Sequence, residues 1–307
     1  MQVIVTGASG FLGSALLTAL RNCGHEVRRL VRSAPNMEAG DVLWDPAAGR
    51  LDVPSLEGAE GVVHLAGESI AHGRWTAARK ESIRRSRVDG TRLLCASLAR
   101  MAKPPRVLAC ASAIGYYGSR GDDVLTEESP PGSGFLSDVC REWEAATAPA
   151  LERGIRVVHL RFGLILGGGG GALKTLASTF RMGGGGIVGS GRQYMSWIAL
   201  EDAVGVILHV LGSGDLRGPL NVVTPNPVTN AEFTKALGRI LSRPTLLRLP
   251  AFAARLALGE MADALLLSST RVEPAKLSAS GYAFKHPELE GALRAAIARP
   301  GLAAAGH

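Results

Sequence analysis

Residues 3 to 13 constrain this chain more than any other stretch. A short β-branched run, Val3-Ile4-Val5, leads directly into Thr6-Gly7-x-x-Gly10-Phe11-x-Gly13, and Leu16, Leu17, Ala19 and Leu20 then follow at helical spacing. That order is strand, glycine turn, helix. Each glycine has a physical task in such a unit: one makes the tight turn, one lets backbone approach a pyrophosphate, and one lets helix pack on strand. The free N–H groups and positive dipole end of the helix then face the phosphates. Gly7, Ser9, Gly10, Phe11, Leu12 and Gly13 are therefore the expected diphosphate-binding residues. The fold expected is α/β, a Rossmann-type doubly wound parallel sheet.

The second strand, read from Gly24 to Ser33, should end at the adenosine ribose. An acidic residue there binds the 2'-hydroxyl of NAD and repels a 2'-phosphate. Arg32 and Ser33 stand at that place, with Arg28 and Arg29 upstream. A planar cation beside a hydroxyl suits a phosphate, so the cofactor expected is NADP(H), the bland alternative being that Arg32 is a solvated charge at a strand end. Val42 to Trp44 should form a third, short strand. Gly61 to Glu68 reads as a buried strand closing on a small-residue turn, where Leu65, Ala66 and Gly67 pass along the dinucleotide and Glu68 lies on the substrate side.

Composition limits the partners. With 307 residues, 46% of them hydrophobic, the chain can bury a large core, and no apolar run reaches membrane-span length. The amino terminus enters a strand without an exported leader's basic and apolar regions, so a cytoplasmic protein is expected. Cys23, Cys95, Cys110 and Cys140 make no Cys-x-x-Cys pair, which points away from a disulfide framework and from a metal site. The net charge of +7 is concentrated in a helical stretch from Trp75 to Met101 carrying Arg79, Lys80, Arg84, Arg85, Arg87 and Arg92. No aromatic residues interleave with these charges to stack on bases, so a solvated helix face is favoured over nucleic acid.

The glycine motif resembles the short-chain dehydrogenase/reductase superfamily, in its extended, epimerase-like branch. Ser112-Ala-Ile-Gly-Tyr-Tyr-Gly118, Phe135-Leu-x-x-Val-Cys-Arg-x-Trp-Glu144 and His64-Leu-Ala-Gly-Glu68 narrow the likeness to the atypical "epimerase family" proteins with a carboxy-terminal domain of unknown function. The blocks Arg161 to Gly171, Gly189 to Ile198 and Asn221 onward are similar to the same group, so the resemblance runs through nearly the whole chain. It implies an NADP-binding fold of oxidoreductase type acting on an undefined substrate. In the superfamily the fifth strand, here Arg106 to Cys110, brings a serine that polarises a carbonyl, and a Tyr-x-x-x-Lys pair on the next helix supplies the proton. A spacing of four puts both groups on one helix face, where the lysine lowers the tyrosine's pKa. Here Leu136 and Cys140 fall at those two positions, and the usual hydroxyl falls on Ala113, one place after Ser112. The remaining candidates for chemistry are Ser112, to orient substrate, and Tyr116 or Tyr117 as the acid. Tyr117 has an equally natural place packed beneath its loop, Ala111 and Ser112 would border the cofactor, and His64 reads as a satisfied core residue.

A sixth strand from Ile155 to Leu160 leads to Gly163, Leu164 and Ile165, whose backbone amides would serve the nicotinamide carboxamide. Glycine runs at 167–171 and 183–186 bracket a helix and suit a mobile lid or a plain flexible loop. Gln193 and Trp197 are expected on the substrate side, with Trp197 also readable as core. Asp202 should begin a helix, its carboxylate at the positive end. Pro225 and Pro227 mark a boundary, giving a cofactor domain at 1–223 and a small helix-rich domain at 224–307. Within the latter, helices are expected at 230–241, capped by Asn230, at 251–267 and at 288–298. A monomer or homodimer with a small-molecule substrate is expected. The alternatives are a non-catalytic NADP(H) sensor or scaffold, and a nucleic-acid-associated relative of the fold.

Overall fold

A computed structural model describes residues 1–32, 40–71 and 73–298. Its centre is an eight-stranded sheet in the order Gly218–Val222, Arg156–Phe162, β6 (Val107–Ala113), β5 (Gly61–His64), β1 (Gln2–Thr6), β2 (Glu26–Val31), β3 (Val42–Asp45) and β4 (Arg50–Leu51). All neighbours are parallel except β4, which runs antiparallel to β3 at the edge. Sequence pattern does not reveal β4, a two-residue strand. The strand order reverses between β1 and β5, where Thr6 lies in register with His64. Ligands of open α/β sheets bind beyond the carboxyl ends of the strands at such a switch point.

β1 shows why the sheet is central. Val3 and Val5 point into one core with helix α1 (Phe11–Asn22) and the Leu200–Gly212 helix, while Ile4 points into the other. That second core holds Leu94 and Leu98 of helix α2 (Ala77–Ala99) and Trp143 of helix α3 (Phe135–Ala145). A parallel strand covered on both faces reads as an unbroken apolar run. Each such buried side chain contributes about 1.5–3 kcal/mol.

A smaller unit sits at the carboxyl edge. Its core joins Leu166, Leu173, Phe180 and Trp197 to Phe233, Leu237, Leu289 and Leu293. It therefore draws on chain from both sides of residue 223, and strand Tyr194–Met195 pairs with Val228–Thr229 across that point. Thr229, not Asn230, caps the Asn230–Leu241 helix: its hydroxyl accepts from the N–H of Glu232, whose carboxylate returns to the Thr229 N–H. The apolar stretch expected as one helix over 251–267 breaks at Gly259, whose φ of +63° no other residue adopts comfortably. Asp202 lies in the first turn of its helix, yet its carboxylate accepts from the N–H groups of Lys285 and His286 at 2.7 and 2.9 Å. It ties the carboxy-terminal segment to the sheet domain. Among the described residues, no helix is long and apolar enough to cross a membrane.

Candidate active site

The glycine turn has the geometry its sequence demands. Gly7 has φ +67°, and a Cβ there would stand 2.7 Å from the Leu65 carbonyl carbon. A Cβ on Gly13 would stand 2.1 Å from the Gly7 oxygen, so α1 can seat only on a bare backbone. Gly10 donates its N–H to the Gly7 carbonyl at 3.0 Å and begins α1 with no side-chain cap. The first-turn N–H groups of a helix have no intrahelical acceptor. Ser9 and Gly10 are exposed and Phe11 and Leu12 half-buried around that opening. The cradle fits a diphosphate.

At the second strand the three arginines separate. Arg29 is clamped by Asp41, and Arg28 donates to the carbonyls of Ser55 and Glu57. Neither is available to a ligand. Arg32 is exposed at the end of β2, with no hydrogen bond or ion pair among the described residues. Ser33 lies outside the described residues.

Thr6 joins the two strands at the switch point. Its hydroxyl accepts from the N–H groups of Leu65 and Ala66, both at 3.1 Å, and faces His64 Nδ1 at 2.7 Å. With both lone pairs used, Thr6 donates to Nδ1, which leaves the proton of His64 on Nε2, directed at Thr91 Oγ1 2.9 Å away. Trp143 Nε1 donates to the same hydroxyl. His64 is fully buried and neutral, its pKa pushed down to about 4 by desolvation. It braces the turn and is no base. Ala66 and Gly67 do lie just past the end of β5, Gly67 exposed, and the Glu68 carboxylate is held by Arg79 at 2.7 Å.

At the end of β6 lies a buried ion pair. Arg161 grips both oxygens of Glu144 through Nε and Nη2, each at 2.8 Å. Ser112 donates to the same carboxylate at 2.7 Å. Arg161 Nη1 donates to the Tyr117 hydroxyl at 2.9 Å, and Tyr117 donates in turn to Asn221 Oδ1 at 2.7 Å. This arrangement engages the hydroxyls of two of the expected catalytic residues. Strand alternation turns Ser112 toward α3, where it is buried and its proton is committed to Glu144. Tyr117 is fully buried with its proton committed, and burial raises its pKa. Tyr116 differs from its neighbour. It is half-buried, its ring lies 3.5 Å from the Arg161 guanidinium carbon, and its hydroxyl has no partner among the described residues.

Other expected contacts are also displaced. Ala111, within β6, packs into the second core. Gly163 and Leu164 spend their N–H groups on the carbonyls of Val222 and Ser196, because the chain leaves the main sheet here to pair Leu164–Leu166 with Trp197–Ala199. Those two amides are unavailable to a carboxamide, while Ile165 remains half-buried beside the main core. Trp197 is fully buried and donates to the Asn226 carbonyl, which makes it core. The Gln193 amide nitrogen donates to the carbonyls of Val188 and Leu266 and links two loops instead of reaching a ligand. The first glycine run packs on the Phe11 ring, where a Cβ on Gly167 would come within 2.6 Å. Cys140, in place of a lysine, is buried with its thiol pushed up to about 11.

The Glu144–Arg161 pair is what residue reading alone passes over. An arginine inside the buried strand Arg156–Phe162 is the available signal, since a buried cation requires a partner. The partner's identity is not written locally.

Comparison with known proteins supplies the family. The NAD dependent epimerase/dehydratase family matches residues 3–222, and a domain of unknown function, DUF1731, matches residues 249–296. The chain is 44% identical over 299 residues to epimerase family protein Mb2239 of Mycobacterium bovis, covering 97% of this chain and 98% of that protein. The crystal structure of human epimerase family protein SDR39U1 (isoform 2) with NADPH superposes with a TM-score of 0.89 at 33% identity, covering 97% of this chain and all of that one. A nucleoside-diphosphate sugar epimerase from Corynebacterium glutamicum gives a TM-score of 0.81 at 37% identity, over 97% of this chain and 58% of that one. With the glycine cradle, the strand order and these matches agreeing along almost its entire length, the chain belongs to the NAD dependent epimerase/dehydratase family, as an epimerase family protein of the kind that carries DUF1731.

Proposed function

We propose that the protein binds NADP(H) and acts as an oxidoreductase or epimerase-like enzyme on a small carbonyl or carbinol compound, with Tyr116 as the proton donor. The observation that carries this reading is the contrast at the end of β6: of two adjacent tyrosines, Tyr117 has its hydroxyl locked by Arg161 and Asn221, and Tyr116 has its hydroxyl unengaged among the described residues. The cofactor supplies the hydride. Gly7 to Gly13 hold the diphosphate against the dipole end of α1, and Arg32, exposed at the end of β2 with no ion-pair partner among the described residues, takes the 2'-phosphate. NADPH in the crystallised human relative supports the same choice. Arg161, itself fixed by Glu144, holds the Tyr116 ring by stacking on its face, so that the phenol can pass a proton to or from the substrate oxygen. Leu136 and Cys140, where the superfamily places tyrosine and lysine, favour a second reading, a sensor that binds NADP(H) without turnover.

One experiment decides between them. NADPH-loaded protein is mixed with a library of carbonyl compounds and cofactor absorbance is followed. Oxidation with any compound, at least 100-fold slower in Tyr116→Phe while NADPH affinity is kept, supports the enzyme. No oxidation with any compound supports the sensor. In parallel, Arg32→Gln should weaken NADPH by roughly tenfold and leave NADH unchanged. Equal affinity of the wild type for both nucleotides would remove Arg32 from its role.

A further inference from the structure

Trp75, Phe135 and Leu136 are half-buried, and among the described residues none of the three joins the buried cores. Large aromatic side chains dominate cores and contact surfaces, and apolar groups that a fold leaves together outside its core mark a place where something binds. All three stand beyond the carboxyl ends of central strands. Trp75 closes the segment that runs from β5 to α2, and Phe135 and Leu136 open α3. The Trp75 and Phe135 rings meet edge to face with centroids 5.1 Å apart. Leu136 lies against the turn that carries Tyr116: a Cβ on Gly115 would stand 3.3 Å from the Leu136 Cβ, and Ser137 donates to the Tyr116 carbonyl at 2.8 Å.

The carboxy-terminal unit closes on the same place. Arg74 donates to the Leu256 carbonyl at 3.2 Å, and Lys80, 5.1 Å from the Phe135 ring centroid, pairs with Glu260. From there the chain runs on through Leu265, Leu266 and Leu267, none of them fully buried. The side-chain donors nearest this wall are spent within the protein. Trp75 Nε1 donates to the Ile70 carbonyl at 2.8 Å, Arg79 holds Glu68 and the Ser69 carbonyl, and Gln193 bridges the carbonyls of Val188 and Leu266. A sugar carries hydroxyls around its ring, and each one taken out of water without a partner costs free energy. An alkyl chain or an aromatic ring gains on the same surface in proportion to the apolar area it covers.

We propose that the substrate side of the crevice takes a carbonyl or carbinol group carried on an apolar aliphatic or aromatic body, with Trp75, Phe135 and Leu136 as the contact that selects it against a nucleotide sugar. This deepens the reading of Tyr116 as the proton donor and rests on it: the substrate body lies on the wall while its oxygen meets the Tyr116 hydroxyl.

The test titrates NADPH-loaded full-length protein by calorimetry with methyl ketones from 2-butanone to 2-nonanone, and with UDP-glucose. Affinity should rise about two- to fourfold with each added methylene. UDP-glucose should bind at least tenfold more weakly than 2-nonanone. Tryptophan fluorescence locates the ketone, because Trp44, Trp143 and Trp197 are buried and Trp75 is not; its change on binding should disappear in Trp75→Phe. Leu136→Asn, which sets an amide on the wall, should lose at least tenfold in 2-nonanone affinity, and Leu136→Met should restore most of it, with NADPH affinity as the control for an intact fold. A flat ketone series, UDP-glucose binding as tightly as 2-nonanone, or a slope equal in wild type and Leu136→Asn overturns the proposal. Should Leu136→Asn not fold, the wild-type series decides together with the Trp75 signal: a slope with that signal supports the wall, and a slope without it places the ketone elsewhere and overturns the proposal. Graded binding without cofactor oxidation would count against the enzyme reading and leave the wall standing. Failure of wild type to bind NADPH would count against the proposed function instead, and the same series on free protein then decides the role of the wall.

Discussion

Replacing Glu144 by alanine removes the acceptor of three hydrogen bonds, one from Ser112 and two from Arg161. What remains is a cation whose side chain is 3% exposed, held among the described residues by the Tyr117 hydroxyl and the faces of the Tyr116 and Tyr117 rings. Breaking a buried pair from one side costs about 3–5 kcal/mol, because the surviving charge keeps its desolvation penalty and loses its compensation. At about 2–4 °C per kcal/mol for a chain of this order, the thermal midpoint should fall by roughly 10 °C. The double variant Glu144→Leu with Arg161→Met removes both charges, so it should recover most of the loss and lie within about 2 kcal/mol of wild type. Tyr117 would then keep its bond to Asn221. The assay is urea unfolding of Glu144→Ala and of the four proteins of the cycle built on Glu144→Leu and Arg161→Met, with an expected coupling of about 2 kcal/mol or more. A Glu144→Ala cost below about 1 kcal/mol, or additive single effects, would refute the claim that this pair holds the end of β6.

Two further outcomes follow from the same geometry. The pKa of His64 is about 4 when folded and 6.5 in its ordinary state, so between those values the unfolded chain binds the extra proton. Its contribution is intact above pH 6.5 and is lost as pH falls toward 4, by up to about 3 kcal/mol; urea midpoints from pH 7.5 to 5 should fall more steeply in wild type than in His64→Asn, and equal slopes would sink the argument. Gly13→Ala puts a methyl 2.1 Å from the Gly7 oxygen and should cost more than about 3 kcal/mol and abolish NADPH binding. Gly212→Ala, where no atom lies within 4 Å of the added carbon, should be neutral or mildly stabilising, and similar losses in both would show that the Gly7–Gly13 approach is not what makes the glycine necessary.

Much of the architecture is written in local pattern. The Val3–Val5 run, the three glycines after it, the small-residue turn beyond His64 and the periodicity of α1, α2 and α3 each depend on residues within a few positions of one another, so the doubly wound sheet and its phosphate cradle are readable in order along the chain. The capping of a helix by Thr229, one residue from Asn230, and the break at Gly259 lie at the margin of such reading.

The chemistry of the cleft depends on partners that sequence proximity does not name. Arg161 meets Glu144 across 17 residues and Tyr117 across 44, and Tyr117 meets Asn221 across 104. Those contacts separate Tyr117 from Tyr116, and the Glu144 carboxylate takes up the Ser112 proton, although all three sit in the same short motif. Likewise the six cations of α2 look alike as a string, and only the packing of α2 against Gly67 and Trp143 leaves Arg87 without a carboxylate among the described residues. Local sequence governs which elements form, because backbone dihedrals and periodic burial are short-range properties. Which hydroxyl or guanidinium stays unengaged is settled only when distant elements close on one another, because each polar group's proton and charge are committed by whatever the fold brings to it.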